Sequence, residues 1–182
     1  MFYMFLADGF EETEALVTLD MLRRAGICIQ TVSVGSEMPE GAHRIKVCAD
    51  IPDTEFSPID CDGVILPGGM PGTENLFASG IVRSAVDYCC KNNKLVAAIC
   101  AAPIVLGRMG YLDGKKAVCY PGFEKELSGA EVADNYCVAD GDIITAKGAG
   151  CVFEFSHQII SYILNGETAG KIIAEIQHKG LN

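Results

Sequence analysis

Cys100 stands where an apolar run, Leu95-Val96-Ala97-Ala98-Ile99, gives way to the small residues Ala101 and Ala102 and then to Pro103. A β-prone segment that ends on a cysteine and turns at once into a helix has the pattern of a nucleophile elbow, which lifts one side chain above the edge of a sheet. Such a turn strains the backbone of the nucleophile, and Ala98 and Ala102 leave the room it needs. A helix beginning just after Cys100 would aim free N–H groups and the positive end of its dipole at the sulfur. Both favour the thiolate, which is the nucleophilic form. Cys100 is therefore the expected reactive atom, and the other eight cysteines read as small buried apolar residues.

Two further segments could serve such a sulfur. Asp8-Gly9-Phe10-Glu11-Glu12-Thr13-Glu14 sets three glutamates around the first turn of a helix. Complementing the helix dipole accounts for Glu11 and Glu12. Glu14 lies further in, beside Ala15-Leu16; aimed at the sheet edge it would be buried, stay protonated and donate a hydrogen bond to the sulfur. Leu66-Pro67-Gly68-Gly69-Met70-Pro71-Gly72 follows a short apolar strand. Its glycines let backbone N–H groups approach an oxyanion, or simply close a tight turn. It is neither a phosphate loop nor a dinucleotide fingerprint, since neither glycine spacing is present there.

A cysteine nucleophile commonly has a histidine base. His178 falls in a polar tail, where it should be solvated, and His157 in an apolar helix, where a structural role is expected. His43 lies in an early loop that the sequence does not place. No metal-ligand spacing occurs. Arg23 and Arg24 suit the C-terminal end of the first helix by dipole alone, and Arg44 suits the surface.

The elements that must position these residues alternate. Strands are expected at Phe2–Ala7, Ile27–Val34, His43–Cys48, Gly63–Leu66, Leu95–Ile99 and Lys116–Tyr120, with a hairpin of Tyr136–Ala139 and Ile143–Ala146 turning at Asp140-Gly141-Asp142. Helices are expected at Glu11–Ala25, Ile81–Cys90, Ala101–Met109, Phe153–Leu164 and Glu167–Gln177. This alternation predicts an α/β fold with a mainly parallel sheet covered on both faces. Ligands in such sheets bind beyond the carboxyl ends of the strands, where Ala7–Glu14, Leu66–Thr73 and Ile99–Pro103 should meet.

The 182 residues suit one domain, expected to run over 1–182. A net charge of −10 argues against a nucleic-acid partner. Nine cysteines without C-x-x-C spacing, and an apolar start only six residues long, point to free thiols in a reducing cytoplasm and to no membrane segment.

Taken in order, the Glu14 segment, Asp20-Met21-Leu22-Arg23-Arg24-Ala25-Gly26, the Pro67-Gly68-Gly69 loop, the Cys100 elbow and Gly148-Ala149-Gly150 resemble the ThiJ/PfpI superfamily, and more closely its DJ-one-like branch, named for the parkinsonism-associated protein deglycase. The resemblance spans nearly the whole chain. It implies a flavodoxin-like three-layer sandwich, usually dimeric, that needs no cofactor or metal. It matches Cys100 to the family's oxidisable nucleophile, Glu14 to its protonated glutamate, and Gly69 and Ala101 to the N–H donors beside the sulfur. Gly68, Arg24 and Arg44 fall where substrate contacts are expected. Tyr120-Pro121 replaces a His-Pro pair of many members; a tyrosine donates a hydrogen bond but is a poor base near neutral pH. The implied activity is conversion of small α-oxoaldehydes such as methylglyoxal to hydroxy acids, with a related deglycase activity. A redox-sensing or chaperone-like role without turnover is the rival expectation.

Overall fold

The computed structural model describes residues 1–179. In chain order its elements are β1 (Phe2–Ala7), α1 (Glu12–Arg24), β2 (Ile29–Val34), β3 (Ile51–Pro52), β4 (Gly63–Leu66), α2 (Gly72–Ala78), α3 (Gly80–Lys91), β5 (Leu95–Ile99), α4 (Pro103–Arg108), β6 (Lys116–Ala117), β7 (Glu131–Val132), β8 (Cys137–Asp140), β9 (Ile143–Ala146), α5 (Val152–Ile163) and α6 (Gly166–Glu175). Seven strands form one sheet in the order β3-β2-β1-β4-β5-β9-β8. All its pairings are parallel except that of β8 with β9, the expected hairpin.

The continuous apolar runs follow from burial on both faces. Along β1, Tyr3, Phe5 and Ala7 enter one core and Met4 and Leu6 the other. The first core is closed by Leu76 of α2, Val82 and Val86 of α3, and Val105 and Leu106 of α4. The second is closed by Met21 and Leu22 of α1, Phe155 and Ile159 of α5, and Ile172 and Ile173 of α6. The result is the three-layer sandwich expected from the alternation. Its registers set Leu66 beside Ala98 and Ile99 beside Ala146, so the carboxyl ends of β4, β5 and β9 lie level.

Several local expectations are corrected. Residues 43–48 form no strand: Arg44 takes a left-handed φ of 67°, and a single bridge joins Glu40 to Lys46. The segment is a tight turn, closed by Gly41 N–H donating to the Ile45 carbonyl and Val47 N–H to that of Pro39. The strand expected at Lys116–Tyr120 stops at Ala117 and pairs with β7 outside the main sheet. Helix α2 and the short β3 go beyond the sequence expectation. Cys28 and Cys48 are exposed rather than buried. His178 is half-buried rather than fully solvated: its Nδ1 is buried and its ring lies 5.0 Å from that of Phe153. Residues 180–182 of the expected domain lie outside the described residues.

One buried polar bond ties the segment after β6 to the sheet. The Val118 N–H donates to Oγ1 of the fully buried Thr145 at 3.0 Å. Thr145→Val keeps the shape and removes the acceptor, stranding a buried N–H. It should lower unfolding free energy by about 1–3 kcal/mol in a denaturant titration.

Candidate functional site

Cys100 follows the last residue of β5 and adopts a left-handed φ of 65°. A non-glycine residue holds that conformation only where its surroundings over-determine it. Here they do: the Cys100 N–H donates to the Ala146 carbonyl at 2.8 Å, and its own carbonyl accepts from Tyr120 N–H at 2.8 Å. Ala101 and Ala102 are buried against the turn. The elbow read from the sequence is present.

The three expected loops meet around it. Glu11 N–H donates to the Gly68 carbonyl at 2.9 Å, and Gly72 N–H to the Gly9 carbonyl at 3.2 Å. Two glycines permit this convergence. A Cβ on Gly68 would stand 2.6 Å from the Cys100 Cβ and 2.7 Å from Glu14 Oε2. Gly69 combines a φ of +91° with a position where a Cβ would meet the Gly9 carbonyl oxygen at 2.3 Å. Neither position accepts a side chain without moving a neighbouring loop.

Glu14, in the first turn of α1, is only 1% exposed. Its Oε2 accepts the Gly68 N–H at 2.8 Å. Burial raises its carboxyl to about 7, against the pull of the nearby Cys100 thiol and of the Gly68 and Ala149 N–H groups, and its Oε1 is buried without a hydrogen-bond partner. Burial also pushes the Cys100 thiol up to about 12, together with the Glu14 carboxylate beside it, while the Ala101 and Gly69 N–H groups favour the thiolate. The expectation that a helix start makes this cysteine acidic is thus corrected: the donors are in place, but burial and the neighbouring carboxylate outweigh them. Below about pH 7 the pair holds both protons; above it the carboxyl ionises and the pair keeps one proton and one negative charge.

The remaining expected residues divide. Tyr120 is half exposed and lines a groove of about 450 Å³ with Tyr136, Lys147, Gly148, Cys151 and Glu154. Gly148 connects that groove to the elbow, since a Cβ there would lie 3.3 Å from the Tyr120 ring and 3.9 Å from Cys100 Sγ. Arg44 lines a separate groove beside Gly9, Met70 and Pro71. Arg24 does not join the site within one chain. It ends α1, whose first turn carries Glu14, and pairs with Asp20 at 2.6 Å. Arg23 pairs with Asp50 at 2.6 Å.

Glu12 has a role the sequence reading did not assign. Buried at the start of α1, its carboxylate accepts the His43 N–H at 2.7 Å and the Ile45 N–H at 3.3 Å, and meets His43 Nδ1 at 2.9 Å. Burial opposes its charge, but these bonds hold its carboxyl below the usual range. Glu12 therefore clamps the 41–45 turn, and His43 is committed to that carboxylate rather than to Cys100. The acidic residues opening a helix concealed this contact, because its partner lies 31 positions away.

A cysteine at a left-handed strand-to-helix turn, backed by a buried carboxyl on a flavodoxin-like parallel sheet, defines a cysteine-elbow α/β protein. The chain belongs to the DJ-1/PfpI family, whose model matches residues 2–162. It is 34% identical to Protein dj-1beta of Drosophila melanogaster, over 97% of this chain and 93% of that protein. It is 35% identical to Protein DJ-1 homolog B of Arabidopsis thaliana over 92% of this chain, yet spans only 39% of that longer relative. Among solved structures, oxidized Toxoplasma gondii DJ-1 superposes with a TM-score of 0.94 at 31% identity, covering 98% of each chain.

The Glu14 proton is linked to stability. The folded chain keeps it up to about pH 7, whereas a free glutamate releases it near its ordinary 4.5. The folded state binds more protons between those values, so stability falls as pH rises through them. Glu14→Gln carries no such proton. Urea titrations at pH 5 and pH 8 should show the native chain losing about 2.5 kcal/mol relative to the variant.

Proposed function

We propose that the chain converts small α-oxoaldehydes, such as methylglyoxal, to 2-hydroxy acids by cofactor-independent cysteine chemistry. The observation that carries this reading is the buried Glu14 carboxyl at Cys100, with its pKa brought to about 7. A group that exchanges its proton near the working pH is what general acid–base catalysis requires.

The shared proton supplies the first step. The Cys100 sulfur adds to the aldehyde carbon while its proton passes through Glu14 to the aldehyde oxygen, giving a hemithioacetal and restoring the carboxylate. Glu14 then takes the proton from that carbon and returns it to the neighbouring carbonyl carbon, with hydroxyl protons redistributed, so the adduct becomes a thioester. The Gly69 and Ala101 N–H groups beside the sulfur suit the oxyanion that forms at each stage. Water cleaves the thioester to the hydroxy acid and frees the thiol. Tyr120 offers a hydroxyl to the substrate but no base, so all proton transfers fall to Glu14. Tyr120 and Gly68 are the proposed substrate contacts, whereas Arg44, in its separate groove, is not one. Deglycation of glycated amino groups would use the same nucleophile and base. A homodimer, as the family resemblance implies, accompanies this reading, as does a cytoplasmic location, which the unpaired cysteine spacing suggests.

A second reading has one observation in its favour: a relative with the same fold has been solved in an oxidized state. Oxidation of Cys100 to a sulfinic acid, hydrogen-bonded by the Glu14 carboxyl, would make the chain a redox sensor without turnover.

Assay of hydroxy-acid formation from methylglyoxal without glutathione separates the two. The native chain should form product, Cys100→Ser none, and Glu14→Gln about 10²- to 10⁴-fold less. Only the singly protonated pair is active, so kcat/KM should rise with pH through about 7, following the Glu14 carboxyl, and then level off. Absence of product from the native chain, with selective peroxide oxidation of Cys100, would instead establish the sensor.

A further inference from the structure

A second pair of reactive groups lies at the other end of the sheet. Cys61 precedes β4 and Cys89 sits in the last turns of α3, both fully buried, with their sulfurs 3.6 Å apart. The contact is held from both backbones by one residue. Lys94 donates its backbone N–H to the Cys89 carbonyl at 2.9 Å and its ammonium to the Cys61 carbonyl at 2.5 Å. The Cys61 thiol is also within reach of the Gly63 carbonyl, at 3.5 Å. Cys61 follows the short turn Pro58–Asp60, whose Ile59 is 75% exposed, so one turn separates it from water.

We propose that Cys61 and Cys89 are a redox-active dithiol, which a hydroperoxide converts to an intramolecular disulfide. The Cys61 thiol gives up its proton and the thiolate attacks one oxygen of hydrogen peroxide; the O–O bond breaks, the departing hydroxide takes up a proton equivalent to the one released and leaves as water, and Cys61 becomes a sulfenic acid (an organic hydroperoxide releases its alcohol instead). The Cys89 sulfur then attacks the Cys61 sulfur, the S–O bond breaks, and the hydroxyl leaves with the thiol proton as a second water. The two thiols together lose two electrons and the peroxide gains them. A hydrogen bond from Cys89 and the Lys94 ammonium both favour the thiolate at Cys61, against burial. The sulfurs, 3.6 Å apart, are already in van der Waals contact and must close to about 2.05 Å to bond. The resulting ring runs from residue 61 to residue 89 and encloses the Gly68-Gly69 loop, although the chemistry does not depend on Cys100.

The test treats the folded native chain with dilute hydrogen peroxide, blocks free thiols, and maps disulfides by mass spectrometry without reduction. The expected result is a Cys61–Cys89 linked peptide two hydrogens lighter than its parts, formed equally in Cys100→Ser. The melting temperature should rise by about 5–10 °C and fall back on adding dithiothreitol. In Cys89→Ser, Cys61 should stop at the sulfenic acid and be trapped by dimedone. If that variant does not fold, the native map decides alone. Recovery of Cys61 and Cys89 as free thiols after the exposed Cys28 and Cys48 have been oxidised would overturn the proposal. A link from either residue to a different cysteine would overturn it equally.

Discussion

The site depends on a single energetic constraint: a carboxyl and a thiol are held together where there is little water to solvate a charge. Burial of Glu14 disfavours its carboxylate, and burial of Cys100 disfavours its thiolate. Two adjacent negative charges there would be costlier still, so the pair keeps at least one proton over the neutral range. Everything around the pair serves that arrangement. Helix α1 begins where its first turn can deliver Glu14, and the Gly68 N–H takes one carboxylate oxygen. The left-handed turn of Cys100, pinned by Ala146 and Tyr120, delivers the sulfur from the other side.

Such proximity demands backbone where side chains would normally be. Gly68 lies against both reacting groups, and Gly148 lies between the sulfur and the Tyr120 ring. Gly69 needs both its positive φ and its missing Cβ, because the Gly9 carbonyl occupies the space. The level carboxyl ends of β4 and β5 make this packing possible, since they bring the glycine loop and the elbow to the same height. The geometry of the site is thus inherited from parallel register, and its tolerances are set by glycine.

What could be read from the sequence was local to strand ends. A strand that stops at a cysteine, small residues beside it, and a proline opening a helix all lie within nine positions of one another, from 95 to 103. Position-by-position resemblance then joined Glu14 to that turn, although they are far apart in the chain. Pairings without a local signature were missed. Glu12 looked like any acidic residue at a helix start, yet it is buried by a turn whose His43 and Ile45 lie 31 and 33 positions away. Residues 43–48 alternate like a strand, but the left-handed Arg44 folds them back. The acidity of Cys100 was misjudged for a related reason: the helix start is a local feature, whereas the opposing carboxylate arrives from another element.

That carboxylate also bears on which chemistry suits the elbow. An exposed, acidic thiolate reacts directly with peroxide, because only the ionised sulfur is needed. Cys100 is instead half-buried and beside a charge that retains its proton. Addition to a carbonyl is less handicapped by such a neighbour, because the carbonyl oxygen must be protonated as the sulfur bonds, and the shared proton is already at hand. Cys61 is more deeply buried still, but the charge beside it is of the opposite sign, the Lys94 ammonium, and its nearest partner is a second sulfur instead of a base. Electrostatics thus separates the two sites by task. The carboxylate-backed sulfur suits proton-coupled addition, and the ammonium-backed pair at the opposite strand ends suits oxidation.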